Sequence, residues 1–399
     1  MACAMRKIIT SLWYLLLIVL PIQTVYIFEQ KMLGETTGGV WQYGVVGLYL
    51  SDVVAAVLLF FLIVSWFWCR EWITLSWVRA GQVVLAGGMV QAALAVSQVL
   101  RGESFASTWL GMSYHAASVL GDSVVGVGDE RWLRGYGMMP HPNILGCFLA
   151  MALIVNVVFF LWNRAKKAAW IYGGVVVILL AKLIATFSRE AWVGAVAGFG
   201  VLCLSGWMLL KNEERSRWFR RLSVITLGLG VVCSVLLVAW WQPVSTRFGF
   251  HGWERLEQRS IDERVMSFGD GVSLWQDSPW FGHGVGRATV GQYEREKAQG
   301  RVHPTYWYQP PHNLYLTILV ETGVAGFMVL FILMSEILLF SIRKMRDSAS
   351  FGCFSKNVTI VSILAILLVT GLFDHFLWTL HAGVMLLLVF TAIFWADNE

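Results

Sequence analysis

PNILGCFLAMALIVNVVFFLW, residues 142–162, contains no Lys, Arg, Asp or Glu in 21 positions. About 20 apolar residues cross a bilayer as a helix, so this stretch reads as a membrane span. Nine others qualify, giving ten in all, at about 10–28, 45–69, 80–100, 142–162, 168–187, 190–210, 222–242, 312–341, 357–373 and 378–396. The run after Arg6 and Lys7 lacks a small-residue cleavage site and continues through Pro21, so it reads as a first span and not as a signal peptide. Composition agrees. Of 399 residues, 57% are hydrophobic and 14% charged, against about 25% charged in soluble domains. A water-soluble enzyme and a disordered chain are both excluded. The fold class expected is an all-α polytopic membrane protein of about 10–12 transmembrane helices. Cys3, Cys69, Cys147, Cys203, Cys233 and Cys353 form no CxxC pair, which argues against a disulfide framework or a zinc site.

Lys and Arg counts orient the spans. With a cytoplasmic N-terminus, the inner connections carry 16 cations. These include Arg70, Arg79, Arg164, Lys166 and Lys167, the run Lys211 to Arg221, and Arg343, Lys344, Arg346 and Lys356. The short outer connections carry five: Lys31, Arg101, Arg131, Arg134 and Arg189. Residues 101–141 then begin and end outside, so the less apolar stretch 104–120 lies on the surface, dips back or forms a short hairpin. The expected division is 1–242 as N-terminal spans, 243–311 as a large extracytoplasmic loop and 312–399 as C-terminal spans. That loop runs for 69 residues and is rich in Trp, Tyr, Phe and Gly, which favours order and function over disorder. The basic run Lys211 to Arg221 reads as an anchor on anionic lipid, not a nucleic-acid site.

Polar residues kept at one membrane face are functional candidates. On the outer side stand His141 and Asn143 in HPN, Arg189 and Glu190 in FSRE, and Arg264 and Arg287 in IDERVMSFGDGVSLWQDSPWFGHGVGRA. His312 and Asn313 follow in PPHNLYLTILVETGVAG, and Asp374 and His375 in FDHF. Lys182 lies seven residues before Arg189 on the same helical face, about 10 Å deeper by helix rise, and three partners stay open to it: the lipid phosphate, Glu321 or Asp52. GHGVG (282–286) lacks the GKS or GKT of a P-loop. It reads as a tight turn, and backbone N–H groups near phosphate are the lesser alternative. His283 and His303 read as ordinary loop residues, and Trp307 and Tyr308 as possible platforms for sugars.

HPN, then SRE after a span, then a long loop with SPWFGHGVG, then HNLYLTILVETGVAG resembles the O-antigen ligase and Wzy-type polymerase family over roughly residues 130–395. The resemblance implies a glycosyltransferase of lipopolysaccharide or polysaccharide biosynthesis. Such an enzyme moves a glycan from an undecaprenyl-pyrophosphate carrier to a hydroxyl acceptor, with inversion, on the outer face of the cytoplasmic membrane. Its partners would be the lipid-linked donor and a glycan, lipid or protein acceptor. Mapped by the resemblance, Arg189, Arg264 and Arg287 hold the pyrophosphate, with the arginines at 247, 255 and 259 as nearby competitors, and His312 is the catalytic base. Glu190, Asn313, His141, Asn143, Asp374, His375 and Lys182 are candidates for the surrounding shell. The residue types suit the chemistry. A planar guanidinium matches phosphate bidentately, and His accepts a proton near neutral pH. No DxD or HExxH motif is present, so arginines are expected in place of a metal, with no cofactor. Ligase is the leading reading and polymerase the alternative. From another class, a secondary transporter or lipid exporter would use Asp52, Lys182, Glu321 and Glu336.

Overall fold

The computed structural model describes every residue except 1, 35, 37–39, 69–74, 164, 251–254, 348–349 and 396–399, so Cys69, Arg70 and Arg164 lie outside the described residues, as do the side chains of Cys3 and Arg255. In chain order the elements are α1 (Ala2–Val19), a hairpin of β1 (Val25–Gln30) and β2 (Val45–Tyr49), α2 (Leu50–Trp68), α3 (Trp77–Arg101), a hairpin of β3 (Val124–Val127) and β4 (Glu130–Leu133), α4 (Pro142–Trp162), α5 (Lys166–Ala185), α6 (Arg189–Leu209) and α7 (Asn212–Ala239). Then follow α8 (Trp241–Phe248), α9 (Arg255–Asp277), α10 (Ala288–Ala298), α11 (Leu314–Asp347), α12 (Phe351–Gly371), α13 (Phe376–Thr379) and α14 (His381–Trp395). The molecule is an all-α polytopic membrane protein, with eight helices among the described residues long and apolar enough to cross a bilayer. α1 and α14, the remaining two of the ten apolar stretches, are shorter.

α4 is the axis of the bundle. Every residue from Pro142 to Leu161 is buried, as expected for a helix apolar on all sides. α3, α5, α6 and α12 pack around it. α6 meets α12 closely because Gly194 and Gly198 present no side chain. A Cβ at Gly198 would stand 2.9 Å from the Ser362 carbonyl oxygen. Small residues at such crossings let helix backbones approach in lipid.

Two boundaries differ from the sequence reading, and one open alternative is resolved. The first apolar run ends as a helix at Val19, because Pro21 lacks an N–H and the β-favouring residues Val25–Phe28 pair with β2 instead. Residues 104–120 form no span. Glu103 bridges Ala116 and Ser107 bridges Met112, making the short hairpin that was one of the three options. α11 breaks at Gly323, whose φ of 65° and ψ of −169° are not helical. The segment 243–311 is ordered into α8, α9 and α10 where it is described.

Candidate functional site

Alternating helices return five separated segments to the same end of the bundle. These are the start of α4, the α5–α6 elbow, the α8–α9 region, the start of α11 and the α12–α13 connection. The elbow is the tightest. Phe187 has a φ of 48°, the one non-glycine positive φ among the described residues, and its side chain is fully buried. A non-glycine residue in the left-handed region stores strain and persists only where its surroundings over-determine it. Here two buried arginines do so. Arg134 Nε donates to the Thr186 carbonyl at 2.8 Å, and Arg247 Nε donates to the Phe187 carbonyl at 3.0 Å. The elbow therefore presents Arg189 as the first residue of α6, with Glu190 behind it.

Arg189 Nη1 donates to the Arg247 carbonyl at 2.9 Å, and its Nη2 lies 3.5 Å from Glu257. Arg247 Nη1 meets both Glu257 oxygens at 2.6 and 2.8 Å. Arg264 Nη2 stands 3.9 Å from Glu190, and its guanidinium makes no hydrogen bond among the described residues. Both Glu190 oxygens are buried without a hydrogen-bond partner. Four guanidinium groups (Arg134, Arg189, Arg247, Arg264) thus face three carboxylates (Glu190, Glu257, Asp374), which leaves the cluster electropositive. Arg134, which is 6% exposed, has its ionisation lowered from the usual 12.5 to about 9, by burial first and by the nearby Arg247 charge second. It still carries its charge at neutral pH.

A hydrogen-bonded chain leads from the elbow to His312. Arg134 Nη2 donates to Asn143 Oδ1 at 2.6 Å, and Asn143 Nδ2 donates to Asp374 Oδ2 at 2.7 Å. Asp374 Oδ1 accepts from the His375 backbone N–H at 2.7 Å and stands 3.9 Å from His312 Nδ1. His312 Nδ1 has no hydrogen-bond partner. Its basicity is lowered from 6.5 by burial, the largest effect, and by Arg264, while Asp374 and Glu190 oppose the shift. His312 is consequently neutral near pH 7 and free to take a proton. Asn313 donates to the Leu372 carbonyl at 3.0 Å and accepts from Leu316 N–H at 2.9 Å, which fixes the entry into α11. His141 caps α4 by accepting from Asn143 N–H, and its Nε2 meets Ser123 Oγ at 2.9 Å.

His375 Nδ1 and Thr379 Oγ1 share a hydrogen bond at 2.5 Å, and the same hydroxyl lies 3.2 Å from the His375 carbonyl. His375 Nε2 stands 4.0 Å from Asp374 Oδ1. His312, Asp374 and His375 are the group among the described residues whose ligand atoms converge enough, within 4.8 Å, to hold a metal ion. The 3.9 and 4.0 Å separations are wider than two atoms each bound about 2.0–2.2 Å from one tetrahedral zinc.

The structure brings Arg189, Glu190, Arg264, His312, Asn143, Asp374 and His375 together. It leaves Arg287 outside this network. That side chain is 56% exposed and pairs with Glu294 at 3.3 Å. Lys182 belongs to α5 and Arg189 opens α6, so the elbow keeps them off one helical face, and the two carboxylates open to Lys182 are taken by other groups. Glu321 takes Gly286 N–H at 2.9 Å, Ala288 N–H at 3.4 Å and Trp378 Nε1–H at 2.8 Å. Asp52 pairs with His381 at 2.7 Å. The GHGVG turn therefore spends its Gly286 amide on the Glu321 carboxylate and its His283 and Gly284 amides on the Val320 and Glu321 carbonyls. Tyr308 is buried at 1% exposure and offers no face to a sugar, whereas Trp307 stacks one face on His303 and is 42% exposed. The buried arginines at 134 and 247 and the carboxylate of Glu257 carry more of the site than the sequence reading assigned them.

Residues 174–331 match the family described as O-Antigen ligase. That range takes in Arg189, the segment carrying Arg247, Glu257 and Arg264, and His312. No curated protein matches the chain at a significant level.

Proposed function

From the premise that residues 174–331 are an O-antigen ligase segment, we propose that this protein is an inverting, metal-independent glycosyltransferase. It moves a glycan from an undecaprenyl-pyrophosphate carrier to a hydroxyl acceptor on the outer face of the cytoplasmic membrane, with both termini cytoplasmic. The segment 243–311 is the large extracytoplasmic loop between the N-terminal spans of 1–242 and the C-terminal spans of 312–399. The observation that carries the reading is the meeting of an electropositive arginine cluster with His312, whose Nδ1 stands 3.9 Å from Asp374, across five separated chain segments.

Attack at the anomeric carbon expels lipid pyrophosphate, and negative charge builds on phosphate oxygens. Arg264, whose donors are uncommitted, and Arg189, held by the strained elbow, receive that charge. Such fixed donors are worth about 3 kcal/mol each, or 10²–10³ in rate. Arg287 joins them from the loop once the donor is bound. His312 takes the proton from the acceptor hydroxyl, with Asp374 steadying the imidazolium that forms. The role of Asn143, His141, Asn313 and His375 is to hold Asp374 and His312 in register. The transporter reading loses support, because Glu321 and Asp52 are satisfied by local partners. They are not open groups on a transport path. The test is turnover by His312→Ala and Arg189→Lys in purified form. Loss of transfer with donor binding kept in His312→Ala, and a severe defect in Arg189→Lys, support the assignment. Activity near wild type in either removes that residue from its role.

A further inference from the structure

The turn between α9 and α10 is built into the break in α11. Val324 N–H donates to the Pro279 carbonyl at 2.8 Å and Ala325 N–H to the Trp280 carbonyl at 3.1 Å. On the other side of the break, His283 N–H and Gly284 N–H donate to the Val320 and Glu321 carbonyls at 2.9 and 2.8 Å. The loop supplies the hydrogen bonds that the helix loses at Gly323, where a Cβ would stand 2.3 Å from the Trp280 carbonyl carbon and oxygen. Its own apolar side chains are left outside. Trp280 is 67% exposed, Phe281 79% and Val285 71%.

Helix length fixes the level of this patch. A hydrocarbon core about 30 Å thick takes about 20 helical residues. Counting back that length from Arg343, the first cation at the far end of α11, ends at Gly323, with Glu336 the one charge between. Below the break α11 exposes Met328, Val329, Phe331, Ile332 and Leu333, the side chains of a lipid-facing span. The patch continues that surface upward. Charged groups of the neighbouring α10 pair instead with one another or with α9, as in Arg287–Glu294 and Arg295–Asp277.

We propose that the Trp280–Phe281–Val285 turn is a lipid-docking surface, seated at the hydrocarbon boundary of the leaflet on the site side of the membrane. The aromatic rings suit that depth, where Trp is enriched at bilayer interfaces. The anchor holds the α9–α10 turn, and with it Arg287, at the level of lipid phosphates. It stands on geometry alone and does not depend on the transfer chemistry.

The test places the photo-crosslinking residue p-benzoyl-phenylalanine at 280, 281 or 285, and at Glu294 as control, in the full chain in nanodiscs of phosphatidylethanolamine and phosphatidylglycerol. These positions are solvent-exposed in the protein, so the substitutions spare the core, and three sites guard against one that fails to fold. Mass spectrometry should find phospholipid adducts at 281 and 285 in severalfold excess over 294. No lipid adduct at any of the three, or equal yield at 294, would overturn the proposal.

Discussion

Asn143 is the joint between the arginine elbow and the Asp374–His312 pair, and its removal has a definable cost. At 3% exposure it accepts from Arg134 at 2.6 Å and donates to Asp374 at 2.7 Å. Asn143→Leu keeps the volume but leaves a buried guanidinium N–H and a buried carboxylate oxygen without partners. Hydrogen bonds to charged groups are worth about 1.5–3 kcal/mol each, so the expected loss is about 3–6 kcal/mol. Asp374 would retain only its bond from the His375 backbone, and His312 would lose a fixed neighbour. A displacement near 1 Å at a reacting group costs on the order of 10²-fold in rate. The assay is thermal unfolding in detergent beside the saturated transfer rate. Asn143→Asp gives a directional check. It still accepts from Arg134, but donates to Asp374 only when protonated. Compared with wild type at the same pH, its deficit in stability should therefore be smallest at low pH and widen as pH rises through the ionisation of the shared proton. A melting temperature within about 1 °C of wild type for Asn143→Leu, where several degrees are expected, would refute the idea that this joint is under load.

Arg264→Lys should cut turnover by about 10²–10³ with little change in melting temperature, since the guanidinium holds no hydrogen bond; a large drop in stability would show it to be structural. Burial lowers His375 from 6.5 to about 4. The unfolded chain then binds a proton that the folded one refuses. Its contribution is fully present above pH 6.5 and is lost as pH falls towards 4, by about 1.4 kcal/mol per pH unit. His375→Gln should flatten the melting curve against pH in that window, and an unchanged slope would contradict the assignment. Chelation with EDTA should leave the rate unaltered; a loss restored by added divalent ion would make His312, Asp374 and His375 metal ligands.

The spans were readable because apolar length is a local property. Residues 142–162 became the buried α4 within the stated bounds. The first boundary failed where two local signals competed, an apolar run against Pro21 followed by β-favouring residues. The site was legible as far as residue type and membrane side allow, and so Arg189, Arg264, His312, Asn143, Asp374 and His375 appear in one cluster. The clamp was not, because Arg134 and Arg247 act on carbonyls 52 and 60 residues away. Backbone acceptors leave no mark in a sequence. The choice among partners for Lys182 stayed open for a related reason: the donors to Glu321 are the Gly286 and Ala288 backbone amides and the Trp378 indole.

The most direct test of the account is transfer by the purified protein from an undecaprenyl-pyrophosphate glycan, offered with a core-type glycolipid or with more donor. The account predicts a glycosylated acceptor with stoichiometric release of undecaprenyl pyrophosphate. Product on the core lipid marks a ligase, and a ladder on the carrier marks a polymerase. Absence of both donor binding and pyrophosphate release with either acceptor would contradict it.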